Sequence, residues 1–153
     1  MRINMINECE LVYEAELRFT GTVEYGTSLQ ELSAGKIAVP LTGARFDQTF
    51  VGVLRGPKLR GEIIGTDFLY VRPDGLFQLH LHARICTQDR MEIAFSSIGV
   101  SLPTETEDMA HIRATASLFT THQDYLWVNK LHLLALGTLD LKEGTGMIKA
   151  YSP

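Results

Sequence analysis

Basic residues are outnumbered by acidic ones, 14 to 18, leaving a formal net charge of −4, and they form no run. That balance argues against nucleic acid or an anionic membrane surface as partner. No apolar segment approaches the roughly 20 residues that span a bilayer. The opening MRINMINECE lacks the apolar stretch of a secretory signal. The two cysteines, Cys9 and Cys86, stand far apart and without metal-ligand spacing, which suits reduced, buried thiols in a cytoplasmic protein. No glycine-rich phosphate cradle is present, so no nucleotide or flavin cofactor is expected. A nucleophile elbow is missing as well, which sets aside a serine or cysteine hydrolase. Helical periodicity, internal repeats and linkers are also lacking.

What remains is a succession of short strands separated by glycine-rich turns. Leu11 to Thr20 alternates apolar and polar residues, as a half-buried strand does. Gly21 to Gly35 is polar and glycine-punctuated, a loop with at most one helical turn. Lys36–Leu41, Phe50–Leu54 and Leu59–Gly65 read as short strands, the last two around the turn at 55–58. Leu102 to His111 reads as a short helix start or an exposed loop, and Arg113 to Thr121 as strand. His122 to Lys130 is a helical turn leading into the apolar strand Leu131–Leu141, and Met147–Tyr151 is the last strand. With 153 residues the chain is one domain, residues 11–153, behind an N-terminal extension of residues 1–10. The expectation is an all-β antiparallel domain of about nine or ten short strands with little helix, closed into a barrel or a two-sheet sandwich, because closure removes exposed strand edges.

The stretch from Gly65 to Gly99 organises the rest. It reads as three antiparallel strands with turns at Pro73-Asp74-Gly75 and Asp89-Arg90. Pairing Arg72 with Leu76 and Gln88 with Met91 sorts the side chains onto two faces. One carries Phe68, Tyr70, Arg72, Gln78, His80, His82, Arg84, Met91, Ile93 and Phe95. The other, with Leu69, Val71, Phe77, Leu79, Leu81, Ala83, Ile85, Ala94 and Ile98, is almost purely aliphatic.

G-P-x-L-x-G at Gly56–Gly61, then Asp67, then R-P-D-G at Arg72–Gly75 resemble the signature of domain-of-unknown-function family 3237. V-P-x-T-G at Val39–Gly43, F-x-T at Phe119–Thr121 and Y-x-W-x-N at Tyr125–Asn129 match further parts of it, so the resemblance runs from about Leu11 to Tyr151. It implies a small calycin-like barrel, often self-associating, whose general function is unassigned. The chain departs from the pattern in having Phe68 at the family's tryptophan, His82 at an acidic position and Asp89-Arg90 where the hairpin reads Asp-Gly. It also carries extra residues between Gly43 and Gly56.

Three readings of the mixed face stand open. It is a solvated exterior, the usual state of polar-out alternation, or it lines the barrel as a pocket. The third is a metal site around His80 and His82 with His132, although no carboxylate ligand is evident. The resemblance favours the lining, and no metal or cofactor is assigned. His80 and His82 would then be acid and base, Arg84 or Arg72 an anion clamp, and Tyr70 an orienting donor. Phe68, Arg72, Gln78, Met91, Ile93 and Phe95 would hold a small apolar or aromatic substrate. The expected activity is that of a cofactor-independent lyase or isomerase (decarboxylation, dehydration or cyclisation) acting on a small aromatic or terpenoid oxygenated molecule. A non-catalytic ligand-binding barrel is the alternative. An aliphatic outer face would also make the chain a homo-oligomer.

Overall fold

In a computed structural model of the chain, residues 8–153 are described. Eight strands follow one another as an antiparallel meander and close into a barrel: β1 (Glu10–Glu24), β2 (Ala44–Arg55), β3 (Gly61–Val71), β4 (Phe77–Thr87), β5 (Glu92–Pro103), β6 (Met109–Phe119), β7 (His132–Asp140) and β8 (Thr145–Ser152). β8 pairs back onto β1. Between β1 and β2 lies a single helical turn, α1 (Leu29–Ser33), N-capped by the Ser28 hydroxyl. A 3-10 helix (Gln123–Lys130) joins β6 to β7. No helix among the described residues is long and apolar enough to cross a membrane.

The strand count is lower than the nine or ten expected, for local reasons. Lys36–Leu41 is not a strand: Pro40 and Gly43 shape a tight turn there, with the Gly43 N–H donating to the Pro40 carbonyl. Leu59–Gly65 and the following stretch fuse into β3, because Gly65 marks a close approach rather than a break. A Cβ there would lie 2.4 Å from the His82 carbonyl oxygen of β4. Leu102–His111 divides between the end of β5 and the start of β6, with a turn between them.

The barrel is filled by its own side chains in two apolar clusters. One holds Tyr13, Phe50, Leu54, Ile63, Ile85, Ile93 and Phe95, with Val128 of the 3-10 helix buried among them. The other holds Phe46, Leu69, Val71, Leu79, Ile112 and Leu139, with Leu32 of α1. Each helical segment therefore contributes one buried side chain to one cluster. The 3-10 helix is tied down further by Asn129. Its side-chain oxygen accepts from the Thr120 N–H and its amide donates to the Thr120 carbonyl, both at 2.8 Å, which is a structural role. Tyr125 reaches back to the β4–β5 hairpin and donates to Asp89 at 2.7 Å. Trp127 is covered only in part, 37% exposed, so the buried anchor of this segment is Val128.

Candidate functional site

Inward positions on β3 run Ile63, Gly65, Asp67, Leu69, Val71, and Asp67 falls where the two apolar clusters meet. It is 3% exposed. Its Oδ1 accepts the backbone N–H of His80 at 3.0 Å, at a point where the β3–β4 ladder is interrupted between Asp67↔Leu81 and Tyr70↔Gln78. Around it lies a cavity of about 70 Å³ whose walls include Tyr13, Leu81, Phe95, Ser97, Ile112 and Ile148. Burial pushes the Asp67 carboxyl up from its ordinary 3.8 to about 6, and the single N–H from His80 offsets this only in part. Burial also raises the Tyr13 phenol well above its usual range. Ser97 spends its hydroxyl proton on the Thr115 carbonyl at 2.8 Å. The site is thus an apolar chamber holding one carboxyl that titrates close to neutrality.

The histidines expected to line this chamber stand outside it. The first turn forms as expected: Gly75 takes a positive φ of 88°, and Tyr70 pairs with Gln78. The second does not. Thr87 donates to the Met91 carbonyl and Arg90, at φ 67°, donates to that of Thr87, so the loop holds three residues rather than two. Ile85 consequently pairs with Ile93, Ala83 with Phe95 and Leu81 with Ser97, one residue out of the expected register. The slip turns Ile93 and Phe95 inward with the aliphatic face and places Ala94 and Ile98 outward. Phe95 alone of the ten expected site residues lines the chamber.

Phe68, Tyr70, Gln78, His80 and His82 do come together, but in an open depression on the outer wall that Arg45 and Arg113 also border. His80 and His82 are exposed there, and Arg84 is exposed further along β4, outside the depression. The Tyr70 hydroxyl donates to the Thr42 carbonyl at 3.0 Å, and its ring covers Gly43. Arg72 pairs with Asp74 within its own turn at 2.6 Å, and Met91 belongs to the hairpin, its N–H bound to the Thr87 hydroxyl. The assignment of His80 and His82 as acid and base within the barrel, with Arg84, Arg72 and Tyr70 around a substrate, is therefore corrected: none of the five reaches the chamber. Nor does His132 join them: its strand, β7, is separated from β4 by β5 and β6. No group of three or more His, Cys, Asp or Glu among the described residues could hold a metal ion.

A family model described as "Protein of unknown function (DUF3237)" matches residues 8–152, nearly the whole chain. The chain belongs to the DUF3237 family. Solved structures share this barrel at low sequence identity. A protein with unknown function from Clostridium acetobutylicum ATCC 824 superimposes with a TM-score of 0.76 at 18% identity, covering 94% of this chain and 97% of that one. A beta-barrel like protein from Acinetobacter baumannii AYE gives 0.73 at 18%, covering 94% of each. An enzyme from Penicillium herquei gives 0.61 at 19%, covering 94% and 93%. No curated protein matches the sequence. At these identities the likeness shows the DUF3237 fold and nothing about chemistry.

Proposed function

We propose that the barrel chamber takes up a small, mainly apolar oxygenated molecule, or the reacting end of one, and that Asp67 exchanges a proton with it. That makes the protein a cofactor-independent lyase or isomerase working by acid–base catalysis. One observation carries the reading: a carboxyl enclosed by apolar side chains whose pKa is raised to about 6. Such a group holds and releases a proton within the range where a general acid or base is most effective. As carboxylate, Asp67 would take a proton from carbon or from a hydroxyl. Tyr13, on the same chamber wall, would donate a hydrogen bond to the oxygen on which negative charge gathers. That a similarly folded protein is an enzyme is compatible with this.

The chamber limits the substrate. About 70 Å³ is less than half of a roughly 150 Å³ cavity that accommodates benzene. A ring enters only if half-buried wall residues such as Leu17, Phe19 or Leu81 move aside. Deuterium exchange tests the proposal. A panel of small ketones and hydroxy acids in D2O is followed by proton NMR with the wild type and with Asp67→Asn. Exchange or turnover of a panel member by the wild type, lost in the variant, supports it. Binding that both proteins share, with no exchange, favours the non-catalytic binding barrel. That second reading draws on Asp67 already serving the His80 N–H as a structural acceptor.

Self-association is part of the proposal on changed grounds, since the aliphatic face lies inside. The support now is an outward row running from Ile64 past Arg84 and Ala94 to Phe119, whose ends are 52% and 62% exposed. A strict monomer in sedimentation equilibrium at high concentration would refute it.

A further inference from the structure

We propose that His80 and His82 chelate a divalent late transition-metal ion (Zn²⁺, Ni²⁺ or Cu²⁺) on the outer wall of the barrel, separately from the chamber chemistry. The two stand two residues apart on β4, which sends both side chains to the same face. Their Nε2 atoms converge to 3.0 Å, with ring centroids 4.8 Å apart and planes at 61°. Metal–imidazole bonds of about 2.0–2.1 Å place two ligand nitrogens about 2.9 Å apart at a right angle and about 3.3 Å apart at the tetrahedral angle. The observed separation lies between these, so one ion bridges the pair with little movement.

The surroundings hold the rings in that pose. Phe68 packs against both, at 6.3 Å from His80 and, edge-on, 6.0 Å from His82. The His80 backbone is pinned from inside by Asp67. Without an ion, the same two nitrogens hydrogen-bond to each other; the ion takes the place of that contact.

The chemistry of the pair also selects the ion. Its donors are two neutral nitrogens with no carboxylate beside them, whereas Mg²⁺ and Ca²⁺ are bound through oxygen. Arg84 lies two residues further along the same face, and the Arg45 guanidinium sits 5.9 Å from the Phe68 ring. Both repel a cation held by charge alone. Imidazole coordination, which strengthens toward the late first-row metals, works against that repulsion. With only two protein ligands, water completes the sphere.

Isothermal titration of the full chain with ZnCl2 and NiCl2 in a non-chelating buffer tests this, with MgCl2 as the opposing arm. The expected result is one ion per chain for zinc and nickel, and no heat from magnesium beyond dilution. Loss of an outer-shell partner alone weakens metal sites ~10–100-fold, so His80→Ala and His82→Ala should each weaken binding at least about tenfold. His132→Ala, three strands away, should leave it unchanged. On the wild type, zinc should shift the imidazole Cε1–H signals of His80 and His82 together, a readout that no variant can confound. The proposal is overturned if the double variant H80A/H82A binds zinc as tightly as the wild type, if the two imidazole signals stay still, or if magnesium binds equally well.

Discussion

Replacing Asp67 by Asn isolates the ionisation of the one carboxyl in the chamber. The asparagine oxygen keeps an acceptor for the His80 N–H, while the variant has no proton to lose. In the unfolded chain Asp67 gives up its proton near 3.8, but in the folded barrel it keeps it until about pH 6. Between those values the folded state binds the extra proton, so wild-type stability must fall as pH rises and level off above about pH 7. A rise of roughly two units, at 1.36 kcal/mol per unit, makes the full penalty about 3 kcal/mol. Urea unfolding followed by circular dichroism at half-unit steps from pH 4 to 8 should therefore show the variant gaining on the wild type by about 2.4 kcal/mol across the series, because the unfolded carboxyl is already more than half ionised at pH 4. In thermal melts a chain of this length converts that to roughly 5–10 °C. The new amide group, buried without an assured partner, costs about 1–3 kcal/mol at every pH. The variant is thus the less stable protein at pH 4, and it gains on the wild type as the pH rises. Parallel stability curves would refute the reasoning, and a wild type that gains on the variant as the pH rises would mean that the carboxylate is stabilised in place. Under the catalytic reading, the same variant should be inactive at the pH where its relative stability is greatest.

Other sites test the frame. Arg90 holds a left-handed conformation, φ 67°, that costs a non-glycine residue about 1–2 kcal/mol, so Arg90→Gly should raise stability by about 1 kcal/mol in urea melts; a loss would mean that the side chain holds the turn. Asn129→Ala removes two hydrogen bonds from the backbone of Thr120, itself 4% exposed. It should cost about 2 kcal/mol or more, measurable by thermal denaturation, and an unchanged midpoint would refute the anchoring role. Gly99→Ala would set a Cβ 2.3 Å from the Arg113 carbonyl oxygen. An overpacking cost of about 1–3 kcal/mol is expected, and no loss in the same melt would show that β5 and β6 can separate there.

How far the site was legible turns on two hairpins. Arg72-Pro-Asp-Gly-Leu76 and Thr87-Gln-Asp-Arg-Met91 make the same turn: aspartate in the middle, a left-handed third loop residue, and flanking residues paired across it. The first announces its geometry through Gly75. The second conceals it, because Arg90 sits where glycine normally does, and a shorter loop is then the natural reading. The Asp74 and Asp89 alignment was the available clue, and missing it moved Ile93 and Phe95 to the wrong face. Asp67 left a fainter trace. Counting back along the aliphatic face from Val71 and Leu69 arrives at a carboxylate, a polar residue out of step with the face it occupies. The placement of His80 and His82 is a different matter: a spacing of two residues gives their shared face but not whether that face points in or out. Direction is a property of the closed barrel rather than of any one strand. A barrel of about eight strands encloses just enough space for its own side chains. Leu69, Val71, Leu79, Ile85 and their neighbours fill that space and leave about 70 Å³. Two imidazoles, an arginine and their water cannot be added to so small an interior. Once the strand number is known, the aliphatic face has to be the inner one, and the histidines have to be read as an outer-wall feature with a chemistry of their own.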